Sequence, residues 1–172
     1  MAEIPSRTSQ KPPAWATAVV PLSDVAGDTP EETSLLLDLA ERAERYLTSF
    51  RWCQSVREIY YGEGIGKIVG LFLCRIVPCE NGVDEWLWVI VGDVPSAYLV
   101  TDACKNPAEA LDTYTEEMSK WIELAREGKS SQSVIPVNAP ATPEEAERLR
   151  LRLELIGQLL RPWLDPPPRK CN

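Results

Sequence analysis

The sequence predicts an α+β domain: a four-stranded antiparallel meander with three helices packed on it, in the order α-β-β-β-β-α-α. Three observations carry this. One kind of helix-start signal occurs three times along the 172 residues. An apolar stripe at helical spacing follows each of them. Between the first and second stripes lies a β-rich stretch punctuated by turn residues.

The start signals are Thr29-Pro30-Glu31-Glu32, Asn106-Pro107-Ala108-Glu109 and Thr142-Pro143-Glu144-Glu145. Each places a capping side chain, then proline where its missing N–H costs nothing, then glutamate at the third helical position. The cap accepts from backbone N–H groups that have no helical partner. The glutamate reaches back towards the start of the helix and meets the positive end of its dipole. The stripes are Leu36, Leu39, Ala40, Ala43, Leu47 and Phe50 in the first helix, and Leu111, Tyr114, Met118, Trp121, Ile122 and Ala125 in the second. In the third they are Ala146, Leu149, Leu153, Ile156, Leu160 and Trp163. All follow i, i+3, i+4 spacing with charged residues opposite. Glu41 with Arg45 and Glu144 with Arg148 are spaced for pairing along their helices.

Trp52–Tyr61 mixes apolar and polar residues and reads as the first strand. The Gly62–Gly66 segment reads as a turn, and Lys67–Val77 as a second, almost wholly apolar strand. Pro78–Asp84, with Asn81-Gly82, is the next turn, and Glu85–Val91 the third strand. Gly92–Ser96 turns into a short strand at Ala97–Thr101. Short turns between consecutive strands mean an antiparallel meander. The two central strands lack polar alternation, so both faces of the sheet are expected to be covered there. Flanking the body at 29–163 are a proline-rich lead-in at 1–28 and a proline-rich tail at 164–172. Trp15, Val19, Val20 and Leu22 give the lead-in apolar groups with which to dock on the body.

Composition narrows the function. There is no histidine, which removes Ser-His-Asp and Cys-His nucleophile systems and every histidine-metal site. The formal net charge is −8. Such a chain is ill suited to nucleic-acid phosphates or anionic membranes; the charge suits a basic partner, or simply solubility. No stretch has the length and apolarity of a membrane span, and Ala16–Leu22, broken by Thr17 and Pro21, is no secretory leader. Five cysteines without a C-x-x-C pair read as free thiols in a reducing compartment, so the expected location is the cytoplasm.

The chemical motifs fall away one by one. In Gly62-Glu63-Gly64-Ile65-Gly66-Lys67 the spacing matches neither a P-loop nor a dinucleotide turn, and a strand follows instead of a helix. Asp84 and Glu85 precede the third strand, Asp93 follows it and Asp102 follows the fourth; Glu80 and Asp84 share one turn, but no two of these are placed together as acid–base work needs. Ser55, Ser96 and Ser119 lack a G-x-S-x-G elbow. Cys104, followed by Lys105 and a helix start, is the best placed thiol for a lowered pKa. No cofactor, metal or catalytic residue is expected. Trp86 and Trp88 lie two apart on one strand and share a sheet face. Covered, they are core anchors. Open, and flanked by Glu85 and Asp84, they form an aromatic and acidic patch of the kind that anchors protein interfaces.

The stretches Val91–Thr101, Asn106–Leu111 and Ile135–Asn138 leading to Thr142-Pro143-Glu144 resemble a group of short, uncharacterised bacterial cytosolic proteins. The resemblance covers roughly the second half of the chain. It implies a stand-alone bacterial domain and carries no functional residue with it. Small acidic bacterial α+β domains are often immunity or antitoxin proteins that plug a basic toxin, an analogy at the level of fold. The expectation is therefore a non-catalytic protein-binding module of that type, with Glu85, Trp86, Trp88 and Asp93 as contacts. Two alternatives stand beside it: a small enzyme or ligand-binding protein using carboxylates or Cys104, and a homo-oligomer paired through the aromatic sheet face or the third helix.

Overall fold

A computed structural model describes residues 11–130 and 135–164. The first ten residues of the lead-in lie outside the described residues. So does the tail from Asp165 onward, with its three prolines and Cys171.

The chain is α+β, with three helices and a five-stranded antiparallel sheet in sequential order. The strands are β1 (Val20–Pro21), β2 (Cys53–Ile65), β3 (Val69–Pro78), β4 (Trp86–Gly92) and β5 (Ala97–Val100). The helices are α1 (Pro30–Thr48), α2 (Pro107–Arg126) and α3 (Pro143–Leu164). The fifth strand corrects the expected four. Val20 and Pro21 pair with Tyr61 and Tyr60, so the end of the lead-in adds an edge strand to β2. Two residues with a proline among them carry no strand periodicity, so only tertiary contact defines this strand. Ala18 takes a left-handed φ of 59° on the approach to it.

All three capping signals form. Thr29 accepts from the backbone of Glu32 at 3.1 Å, Asn106 from Glu109 at 2.9 Å and Thr142 from Glu145 at 3.3 Å. The glutamates reach one residue further back than a capping box places them. Glu32 takes the N–H of Asp28 at 2.8 Å and Glu109 that of Lys105 at 2.6 Å. In α3, Arg148 pairs with Glu145 instead of Glu144.

The Gly62–Gly66 segment is not mainly a turn. β2 runs through it, pairing Gly64 with Gly70 and Ile65 with Val69, and the chain reverses over Gly66–Ile68. These glycines serve close approach. A Cβ on Gly64 would stand 2.7 Å from the Val69 carbonyl, and one on Gly62 would stand 3.0 Å from the Pro107 ring.

β3 and β4 are buried on both faces. Phe72, Cys74, Ile76, Leu87, Val89 and Val91 point to α1 and form one core with Leu39, Ala43 and Leu47. Leu71, Leu73, Trp88 and Ile90 point the other way and join Leu111, Tyr114, Met118, Leu153 and Ile156 beneath α2 and α3. The result is three layers: α1, sheet, and the α2–α3 pair. Trp163 departs from the expected stripe, for it is exposed at the end of α3. Trp88 is fully buried, and its indole N–H donates to the Cys104 carbonyl at 2.9 Å. This bond ties β4 to the loop before α2. Replacing Trp88 with Phe leaves that carbonyl without its donor and removes part of a ring from a packed core. We expect Trp88→Phe to lower unfolding free energy by about 2–4 kcal/mol, read from urea denaturation at constant m-value.

Candidate functional site

The expected contact residues do not converge. Glu85 and Asp93 bracket β4 and so stand at its opposite ends. Trp86 and Trp88 do share a face, and that face is covered. Trp88 is core and offers nothing to a partner. Trp86 is half-buried beneath the lead-in: Trp15 meets it edge-on at 6.2 Å, Tyr60 lies at 5.9 Å and the Arg75 guanidinium sits 5.7 Å above it. Arg75 also bonds Glu85 at 2.6 Å. Glu85 is thus engaged in an ion pair at the other end of β4 from Asp93.

Cys104 is likewise not the reactive thiol its setting suggested. It is wholly buried, with its sulfur 3.2 Å from the Thr113 hydroxyl. Lys105 turns away and lies 5.0 Å over the Trp15 ring. Cys53 and Cys74 are buried too, while Cys79 is exposed. Burial, with Cys79 close by, pushes the Cys53 thiol up, which disfavours its thiolate. Among the described residues no group of three or more Cys, Asp or Glu is placed to hold a metal ion.

The concavity lies at the other end of β4. The turn there depends on Gly92, whose φ of 140° is open to glycine alone and where a Cβ would stand 2.2 Å from the Ile68 carbonyl. Asp93 donates its N–H to that carbonyl at 2.7 Å. The Tyr114 hydroxyl, arriving from α2, donates to the Pro95 carbonyl at 2.7 Å and fixes the rest of the turn. Beside this turn opens a cleft of about 890 Å³. Arg42, Tyr46 and Phe50 form one wall from the C-terminal half of α1 and the residues just after it. Asp93, Ser96 and Tyr98 form the floor, and residues 135–139 with Glu117, Glu145 and Arg152 close the far side.

Aromatic rings dominate the α1 side. Phe50 stacks on Trp52 at 4.9 Å. Tyr98 packs against both, at 5.4 Å and 5.0 Å, and Tyr46 meets Phe50 at 5.2 Å. Tyr98 stays 37% exposed and Val100 46%, because their side of β5 lies beyond the reach of α1. The strand order ends at β5, so no described strand pairs with its outer edge. Charges line the rim. Arg152 lies 3.7 Å from Asp93, Glu117 pairs with Lys120, and Glu145 bonds Arg148 at 2.7 Å. Arg42 makes no ion pair among the described residues.

Burial pushes the Tyr46 phenol up to about 12, helped by the nearby Tyr98 phenol. Tyr114 is raised by burial and then by Tyr46. Phenols so placed are neutral hydrogen-bond donors at physiological pH and poor general bases. Ser96 lines the cleft without a base bonded to it among the described residues. The arrangement suits recognition: rings to stack on, arginines and carboxylates to orient, phenols to donate.

Of the expected contacts only Asp93 belongs to this cleft. Tyr46, Phe50 and Tyr98 were not singled out as contacts. Tyr46 and Phe50 carry one sequence signal, aromatic residues at i and i+4 where α1 ends, which equally marks core; Tyr98, on β5, carries none. No family model matches the chain, and comparison with curated proteins and solved structures finds no similar protein.

Two measurements follow. In native protein a maleimide should label Cys79 within minutes and leave Cys53, Cys74 and Cys104 unmodified until denaturant is added, as read by peptide mass spectrometry. Alkaline stability should also report the buried phenols. Tyr46 and Tyr60 titrate near 12 in the fold and near 10 when unfolded. The unfolded chain therefore releases these protons first as pH rises. Their contribution is complete below pH 10 and is lost between about 10 and 12. Tm should fall across that window, and less steeply in Tyr46→Phe; identical slopes would refute the burial of Tyr46.

Proposed function

We propose that this protein is a non-catalytic protein-binding module that docks a basic partner at the cleft beside the β4–β5 turn. The most concrete form of the reading is an immunity or antitoxin-type protein that neutralises a toxin by surface complementarity. The observation that carries it is the composition of the cleft wall. Tyr46, Phe50, Tyr98, Arg42 and Arg152 are the residue types that anchor protein interfaces, gathered in one open concavity. Asp93, Glu117 and Glu145 outnumber the two arginines there, and the whole chain carries −8. A basic partner would be steered in quickly, with association slowed by salt.

The test is a pull-down from native cytosol at low salt, followed by titration of the recovered partner against variants. Tyr98→Ala and Asp93→Lys should each weaken binding at least about tenfold. Glu85→Lys, at the other end of β4, should leave affinity within about twofold. Equal binding by Tyr98→Ala, Asp93→Lys and the parent chain would defeat the reading.

A small-ligand reading rests on one observation, the neighbouring phenols of Tyr46 and Tyr98 in a cleft of ligand size. A small molecule that raises Tm in the parent chain and not in Tyr98→Ala would favour that reading.

A further inference from the structure

We propose that Cys53 and Cys79 are a thiol pair that hydrogen peroxide converts to a disulfide, fastening the start of β2 to the end of β3. Both are free thiols at one end of the β2–β3 ladder. Cys53 stands opposite Pro78, the last residue of β3. The next residue, Cys79, donates its N–H to the Trp52 carbonyl at 2.8 Å. That bond flanks the Cys53–Pro78 pair, and Pro78 has no N–H to give. The pair is therefore of the kind whose two members exchange no hydrogen bond. Strands come closest at such pairs, with Cα atoms about 4.5 Å apart. Cys79 lies one residue along on the diagonal, at a Cα separation from Cys53 of roughly 5–6 Å. Disulfides span Cα separations of about 4.4–6.8 Å, so the two backbones already stand at bridging distance.

Were β3 to continue, strand alternation would turn Cys79 away from Cys53. β3 ends at Pro78 and the chain bends at Cys79, so alternation no longer fixes this side chain. The two sulfurs are near enough to act on each other. After burial, the nearness of Cys79 is the next cause of the raised Cys53 pKa. Their settings are complementary. Cys79 is exposed, within reach of a dissolved peroxide, while Cys53 is buried in the core beneath α1. An exposed thiol that meets the oxidant, with a second thiol beside it to resolve the product, is how reversible oxidation is built. The other buried cysteines are placed differently. Cys74 stands opposite Ile59 on one side and Leu87 on the other, and Cys104 meets the Thr113 hydroxyl.

The reaction closes in two steps. The Cys79 sulfur attacks one oxygen of hydrogen peroxide. The O–O bond breaks, the other oxygen leaves as water with the thiol proton, and Cys79 becomes a sulfenic acid. The Cys53 sulfur then attacks the Cys79 sulfur. The S–S bond forms, the S–O bond breaks, and hydroxide leaves as a second water with the Cys53 proton. Two thiols lose two electrons and two protons, and one peroxide is reduced to two waters. The bridge fastens the backbone beside Trp52, whose ring packs against Phe50 and Tyr98 of the cleft. Oxidation thus braces that wall, whatever the cleft binds.

The test is to treat the full chain with a small excess of hydrogen peroxide, alkylate it, digest it without reductant and map the peptides by mass spectrometry. The expected product is a Cys53–Cys79 linked peptide from a chain of monomer mass, about 2 Da lighter than the reduced form. Maleimide labelling of Cys79 should fall at least about tenfold and recover when dithiothreitol is added. Cys79→Ser, a change at an exposed position, should form no bridge and keep the Tm of the parent. In Cys53→Ala the reaction should stop at the sulfenic acid, trapped on Cys79 as a dimedone adduct. Cys79 left unreacted in the parent chain, or carried on to sulfinic acid, overturns the proposal. So does Cys79 linked to Cys171 or to a second copy in place of Cys53, or a Cys53–Cys79 bridge that forms only in denaturant.

Discussion

Two-sided burial of β3 and β4 is the constraint from which the rest of the architecture follows. From Val69 to Cys74 and from Leu87 to Val91 neither strand offers a polar side chain to water. Alternating side chains then demand an apolar layer on each side. α1 supplies one layer, and α2 with α3 supplies the other. The two layers are unequal, and that inequality makes the cleft. A helix is about 10 Å across, while five strands at about 4.8 Å spacing span roughly twice that. Two helices can cover such a sheet; one cannot. On the α1 face the rim at β5 is left to Phe50, Trp52 and Tyr98, which pack against one another in place of a helix. On the opposite face Ala97 and Leu99 of the same strand are buried beneath α2.

Much of the architecture was legible because local chemistry and tertiary context agree. The three capped starts at Thr29, Asn106 and Thr142 need only neighbours three residues away, and all three form. The unbroken apolar runs of the central strands required cover on both sides, and they have it. What could not be read is what depends on partners distant in sequence. β1 exists because Tyr60 and Tyr61 present an edge to Val20 and Pro21. The glycines at 62 and 64 look like a turn until Pro107 and Val69 stand beside them. Trp163 has the right spacing for the core, yet it stands exposed beside the lead-in and the start of α2, which do not cover it.

The same limit explains the site. Trp86 and Trp88 were correctly placed on one face, yet the cover over Trp86 is Trp15, some seventy residues earlier in the chain. A pair of tryptophans on a strand signals an anchor without saying to what. β5 hides its exposed side for a different reason. Ala97, Tyr98, Leu99 and Val100 are all apolar, so alternation in burial has no counterpart in alternation of residue type. Tyr98 is recognisable as a surface ring only once α1 is seen to stop short of it.

α3 shows how one helix can serve three environments at once. Its inner ridge closes the core against α2, and this face must be apolar for the sheet to be dry. Its N-terminal half sends Glu145 and Arg152 to the lip of the cleft, where Arg152 approaches Asp93. Its outer ridge is apolar without any covering group among the described residues. The rows of Glu and Arg in its first half pair along the helix, as Arg150 does with Glu147 and Glu154. Those pairs are exposed and contribute little to stability, typically a few tenths of a kcal/mol each. Their effect is to keep the first half of the helix well solvated, whereas from Leu155 to Leu164 Arg161 is the one charged residue. The division falls within one helix whose core-facing side is uniform, so core packing alone does not account for it.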